Sequence, residues 1–250
     1  MMFSFGSANG WRLWAVLLGM LSLSHAPARD RRSEALKPGE WEVLFSRKNH
    51  QFRGYKLFDF PRRSWKIEKG ELKSLAGAPQ VDLISLSMYQ DFELELEWRV
   101  ASGADAGVLY RVMEDEGPTW HSGLEYQLLD DARHPDGKTF NRTSGSLFDV
   151  AGAKATKPLK SAGEYNITLI KVVGTQVEHW LNGEKVLQYD LESDGFRNLV
   201  AQSKFKNLPR FGKEKEGHIC LQHMGDEVSF RSIRIRRVVA PDPSAPVIAR

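Results

Sequence analysis

Glu125 and Gln127 alternate with Leu124, Tyr126 and Leu128 in the segment 124–129, LEYQLL. An extended backbone therefore puts the acid and the amide on one side and the apolar set on the other. Along such a strand the two polar side chains stand about 7 Å apart. Trp120 and His121 lie just upstream, Arg111 ends the preceding extended stretch, and Asp130 and Asp131 follow. An acid, an amide, an arginine and an indole near one sheet face are the groups expected of a sugar or anion site. The same alternation also describes a solvated sheet face, so the pattern leaves both readings open.

The elements that would position these residues are strands. In 91–100, DFELELEWRV, the residues Phe92, Leu94, Leu96 and Trp98 share one side, and Glu93, Glu95, Glu97 and Arg99 share the other. The acidic row reads as an outer sheet face. Residues 64–75 form an expected hairpin turning at Lys69–Gly70, and Asn182–Gly183 marks a second between 176–181 and 184–189. Further strands are expected at 42–45, 83–86, 106–112, 164–173, 217–223 and 227–239, with a short one at 146–150. Between Asp131 and Gly163 runs a long stretch rich in turn formers, the composition of a functional loop. Only 193–216 allows helix, limited by Gly and Pro to a turn or two. Many strands without βα alternation predict an all-β sandwich of two antiparallel sheets.

The 250 residues carry a formal charge of +3, with charges of both signs interspersed. No basic stretch interleaves with aromatics as a nucleic-acid surface would, and no nucleotide cofactor is expected. Near the N-terminus, Arg12 precedes the apolar run LWAVLLGMLSLSHA, which ends in small residues. That layout predicts a signal peptide over 1–28, cleaved after Ala26 or Ala28, and export to the periplasm or medium. No stable membrane span is expected after cleavage. A linker at 29–38, a domain at 39–239 and a loose tail at 240–250 complete the organisation. Cys220 is the one cysteine, so no intrachain disulfide can form, and its strand-like setting suits a small buried hydrophobe.

The segments DAGVLYR, PTWHSGLEYQLLDD, GEYNITLI, VEHWLNGEKVLQYD, SKFKNLPRFG and GHICLQHMGDEVSFRSIRI occur in this order. Together they resemble the 3-keto-disaccharide hydrolase (DUF1080) family across 39–238. The resemblance implies a concanavalin A-like jelly roll, export, and cleavage of glycosides whose glucosyl C3 is already a ketone. It implies Glu125 as the essential acid, with Gln127 and Asp130 in the same motif, Arg111 after the buried strand, His179 in HWLNG and Lys204 in SKF. Gln222, Asp226 and Arg231 match as well. The chain departs where it reads LQHMGD, with His223 and Met224 in place of the usual acid and histidine. It departs again at SFRS, with Ser229 and Ser232 in place of Trp and Asn.

A C3 ketone acidifies the C2 proton, because the resulting carbanion delocalises onto the carbonyl oxygen. Loss of that proton expels the C1 substituent, and water then adds to the enone. The route needs a base, an electrophilic group near the ketone and an acid for the leaving oxygen. The expected catalytic set is Glu125 as base, Arg111 at the enolate, and His121 or His179 for proton transfer. Trp120 would stack on the sugar, with Gln127, Asp130, Lys204, Gln222 and Arg231 as further substrate contacts. A divalent ion held by Glu125, Asp130 and a histidine would polarise the ketone. Two other functions fit the same fold: a sugar-binding module without catalysis, and a conventional glycosidase. The second expects paired carboxylates in an E-x-D-x-x-E strand, which GLEYQLLD does not supply.

Overall fold

The structure is a computed structural model and describes residues 39–238, apart from 48 and 116. The expected signal peptide, linker and tail lie outside the described residues.

The chain opens with β1 (Trp41–Phe45), β2 (Phe52–Gly54), β3 (Trp65–Glu68), β4 (Glu71–Ser74) and β5 (Leu83–Tyr89). The long strands β6 (Phe92–Val100) and β7 (Asp105–Val112) follow, then β8 (Leu124–Leu129). After the long loop come β9 (Asn166–Val173), β10 (Gln176–Leu181) and β11 (Glu184–Asp190). The helix α1 (Asp194–Gln202) precedes β12 (Gly217–Leu221) and β13 (Val228–Arg237).

All pairings are antiparallel and make two sheets. The larger runs β11-β10-β9-β6-β13-β4-β3, with β1 also paired to β13; the smaller runs β2-β5-β12-β7-β8. This is the jelly-roll sandwich expected. The period-2 apolar rows meet between the sheets. Leu94, Leu96 and Trp98 of β6 are fully buried with Val108 and Tyr110 of β7 and Tyr126 of β8.

The acidic row of β6 faces out, as its alternation requires. Glu93 pairs with Arg236, Glu95 with Arg234 and Glu97 with Arg231 on the neighbouring β13. Arg231, expected as a substrate contact, thus belongs to the outer face of the larger sheet and lies over the Tyr165 ring.

Three local features differ from expectation. Residues 52–54 form β2, a strand outside the segments expected to be extended. The helix reaches nine residues, because Ser193 caps it by accepting the Phe196 N–H at 3.1 Å. Residues 146–150 do not form a strand: Leu147 makes single bridges to Tyr126 and Ala151, and Asp149 turns the chain with φ +59°. The Asn182–Gly183 turn takes φ +47° and +88°, the two left-handed residues a tight hairpin needs.

Candidate active site

The parity read from β8 holds. Leu124, Tyr126 and Leu128 enter the core, while Glu125 and Gln127 lie on the other face of the five-stranded sheet. The same parity on β7 puts Asp105, Gly107 and Leu109 on that face. Gly107 is the decisive small residue. A Cβ there would lie 2.7 Å from Glu125 Oε1 and 3.0 Å from Gln222 Oε1, so β8 and the residue just after β12 send their polar side chains into the space glycine leaves open.

Glu125 is 6% exposed, and among the described residues its carboxyl group makes no hydrogen bond. Burial, reinforced by the negative charge of Asp105, pushes its pKa up to about 8. Lys204 opposes that shift. Its ammonium lies 4.1 Å from the centre of the Phe148 ring, 5.0 Å from Phe205 and 6.0 Å from Trp120. Among these rings, loss of solvation lowers the lysine pKa, while Glu125 and Asp149 pull it back up. The backbone holds the group in place, since the Lys204 N–H donates to Asp149 Oδ2 at 2.8 Å. Asp149 also accepts from Arg142. Trp120, 36% exposed, completes this aromatic and cationic side. It sits on the 3-10 turn Thr119–His121, which is anchored where Thr119 Oγ1 donates to the half-buried Asp82 at 2.6 Å.

Asp105, whose charge acts on Glu125, belongs to an acidic group that the motif reading missed. Donor atoms of Asp105, His134 and Asp136 lie within 4.8 Å of one another. Gln127 Nε2 donates to Asp105 at 2.9 Å, leaving Gln127 Oε1 buried and without a partner. Burial raises the Asp105 pKa to about 6, and the charges of Asp136 and Asp226 add to the rise while His134 opposes it. An excess of carboxylates around an unpartnered oxygen suits a divalent cation with oxygen and nitrogen donors. The expected pair Glu125 and Asp130 is not this group. Asp130 gives its carboxylate to the backbone N–H groups of Gly103 and Ala132, and its carbonyl accepts from Arg133 and His134. It shapes the turn that presents His134. The strand parity of Asp105 and the acid two residues after His134 were the available signals.

Several expected residues are not brought to this face. His179 is fully buried between the sheets. Its Nδ1 faces the Gly145 carbonyl at 2.9 Å, which can only accept, so Nδ1 carries the proton and Nε2 accepts from Tyr110 Oη at 3.0 Å. Burial lowers its pKa to about 4, which keeps this core imidazole neutral. Arg111 leaves the face because the strand bulges there, and it reaches the carbonyls of Gly174 and Gln90. His121 packs edge-on to Trp120 at 4.4 Å and opens on a separate hollow lined by Asp115, Leu208, Pro209 and Arg210. In the divergent LQHMGD loop, His223 is buried edge-on to Trp65, and Met224 is exposed.

Residues 40–236 match the family described as the 3-keto-alpha-glucoside-1,2-lyase-like domain. A 3-keto-disaccharide hydrolase of Bacteroides thetaiotaomicron is 36% identical over 215 residues, covering 74% of this chain and 73% of that protein. A crystal structure of a proposed glycosyl hydrolase from Parabacteroides distasonis superposes with a TM-score of 0.73 at 24% identity, covering 80% of this chain and 94% of its own. A second from the same organism gives 0.65 at 23%, covering 80% and 100%. These two likenesses speak for the fold.

Proposed function

The chain belongs to the 3-keto-alpha-glucoside-1,2-lyase-like family, and from that premise we propose that it cleaves 3-keto-glycosides with Glu125 as the proton-transferring carboxyl group. One observation carries the assignment: a buried carboxyl group without hydrogen bonds among the described residues, lying over Gly107 and within reach of the charges of Lys204 and Asp105. In its ionised form such a group is a stronger base than an ordinary carboxylate, and its pKa is matched to neutral or mildly alkaline conditions.

The sugar stacks on Trp120, with C2 of the keto unit towards Glu125. Glu125 takes the C2 proton, charge passes to the C3 oxygen, and the C1–O bond breaks to leave a C1–C2 double bond conjugated with the ketone. The proton held by Glu125 passes to the departing alkoxide; the carboxylate so restored takes a proton from the water that adds at C1 and returns it to C2. Lys204 favours the carboxylate before proton transfer and lends positive charge to the enolate as it forms. Asp105, His134 and Asp136 are the residues that would hold a divalent ion, with Gln127 Oε1 beside them. Bound there, the ion would supply Lewis-acid polarisation of the ketone oxygen.

The test pairs two substrates with two proteins. A 3-keto-disaccharide should release its aglycone with the wild-type chain and not with Glu125→Gln, while the unoxidised disaccharide should be inert with both. Cleavage of the unoxidised sugar would mean an ordinary glycosidase. Binding of the keto sugar without release, with divalent ions present, would mean a recognition module.

A further inference from the structure

Arg111 presents a different piece of chemistry. It is 4% exposed, yet among the described residues it pairs with no carboxylate. Its guanidinium donates to the Gly174 carbonyl at 2.8 Å and more weakly to Gln90 at 3.4 Å, and its Nε is buried without a partner. Burial lowers its pKa and the charge of Asp91, held at the Gly174 N–H, offsets that only in part, the sign of a charge whose solvation is incompletely replaced.

The backbone is bent to put it there. Arg111 has φ +56°, left-handed for a side chain with no local reason to prefer it. The β7–β12 register shifts between His218 and Cys220, so the strand bulges and turns this side chain away from the Glu125 face. Gly217 makes room, since a Cβ there would meet the Arg111 carbonyl carbon at 2.4 Å. Strain of this kind persists where surrounding structure enforces it and commonly marks a functional position.

Arg111 lines a cavity of about 420 Å³ together with Thr175, Lys213, Lys215, Glu192 and Glu214. Glu214 is tied to Arg210 at 2.6 Å. The remaining lining charges are three cations and one acid. A guanidinium with unused donors, two lysines and a hydroxyl is the donor set that recognises an oxyanion.

We propose that the Arg111 cavity is a second binding site, separate from the Glu125 face, for a small oxyanion of the carboxylate or phosphate class. The anion completes the ion pair that the fold leaves open, and it joins the β9–β10 turn to the segment after α1. A sugar carboxylate and a free phosphate share the required chemistry.

The experiment titrates the wild-type chain with inorganic phosphate and, separately, with glucuronate, at constant ionic strength against sodium chloride. The readouts are melting temperature and the NMR resonance of Arg111 Nε–H, whose burial protects it from exchange. At least one probe should raise the melting temperature saturably and move that resonance along the same curve. Response to phosphate alone assigns a tetrahedral ligand; response to glucuronate alone assigns a sugar acid. Lys213→Ala combined with Lys215→Ala should weaken the apparent Kd about tenfold, and Arg111→Gln should abolish the response. The lysine pair is exposed enough to keep the test valid if Arg111→Gln does not fold. Neither probe moving the resonance, or an undiminished response in the lysine variant, overturns the proposal.

Discussion

Replacing Glu125 by Gln should stabilise the protein, and by an amount that grows with pH. The wild-type carboxyl group is raised from 4.5 to about 8 in the fold, mainly by burial. Because the folded pKa is the higher one, folding favours the protonated acid. Its contribution is complete below pH 4.5 and is lost as pH rises to 8. At about 1.4 kcal/mol per pKa unit, the loss is on the order of 1 kcal/mol at pH 5 and 5 kcal/mol at pH 9. Glutamine has the same shape and no charge to bury, so it escapes the penalty. For a domain of this size each kcal/mol moves the melting temperature by about 2–4 °C, so the variant's advantage should widen by roughly 10 °C between those pH values. Calorimetry of both proteins at pH 5, 7 and 9 checks this, and the difference removes titrations common to the two. A constant offset, or a variant that melts lower at pH 9, would refute the claim that Glu125 is a desolvated, weakly compensated acid.

Lys204→Met should move the acidic limb of the pH–rate profile upward, because losing the ammonium makes Glu125 harder to ionise; an unmoved limb would separate the two groups. Gly107→Ala should fold but lose most turnover, since its methyl group takes the space of Glu125 Oε1 and Gln222 Oε1; unchanged kcat/KM would contradict the packing. Divalent-ion affinity, measured by calorimetric titration, should fall as pH drops from 7 to 5 through the Asp105 pKa of about 6, and Asp105→Asn should abolish it. Export should leave a mature N-terminus near Pro27 or Arg29 by mass spectrometry, and an intact Met1 would contradict it.

What was legible in the sequence follows from periodicity. Alternation in β6 and β8 identified the core rows, the outer acidic face and the shared side of Glu125 and Gln127, because a strand has only two faces to assign. Periodicity fails where the strand is irregular. The bulge at Arg111 reverses the side that counting from Gly107 assigns, and no residue type announces it. His179 reads as a polar residue in an edge hairpin, yet Tyr110 and Gly145 satisfy both its nitrogens inside the core, and these partners are distant in the chain. Asp105, His134 and Asp136 come together only through the turn that Asp130 holds, so the parity of Asp105 and the acid two residues after His134 hint at the separate parts but not at their meeting. The jelly roll itself was recognised from a chain of local matches as much as from strand count, and the sheet order agrees with both.

The proposed reaction begins with removal of the C2 proton of a 3-keto sugar by Glu125. A 3-keto-disaccharide carrying deuterium at C2 of the keto unit tests it directly, with rates of aglycone release compared under single-turnover conditions. The wild-type chain should release the aglycone more slowly from the deuterated substrate and lose the label to solvent, and Glu125→Gln should show neither release nor label loss. Equal release from both substrates with deuterium retained in the sugar product would contradict it.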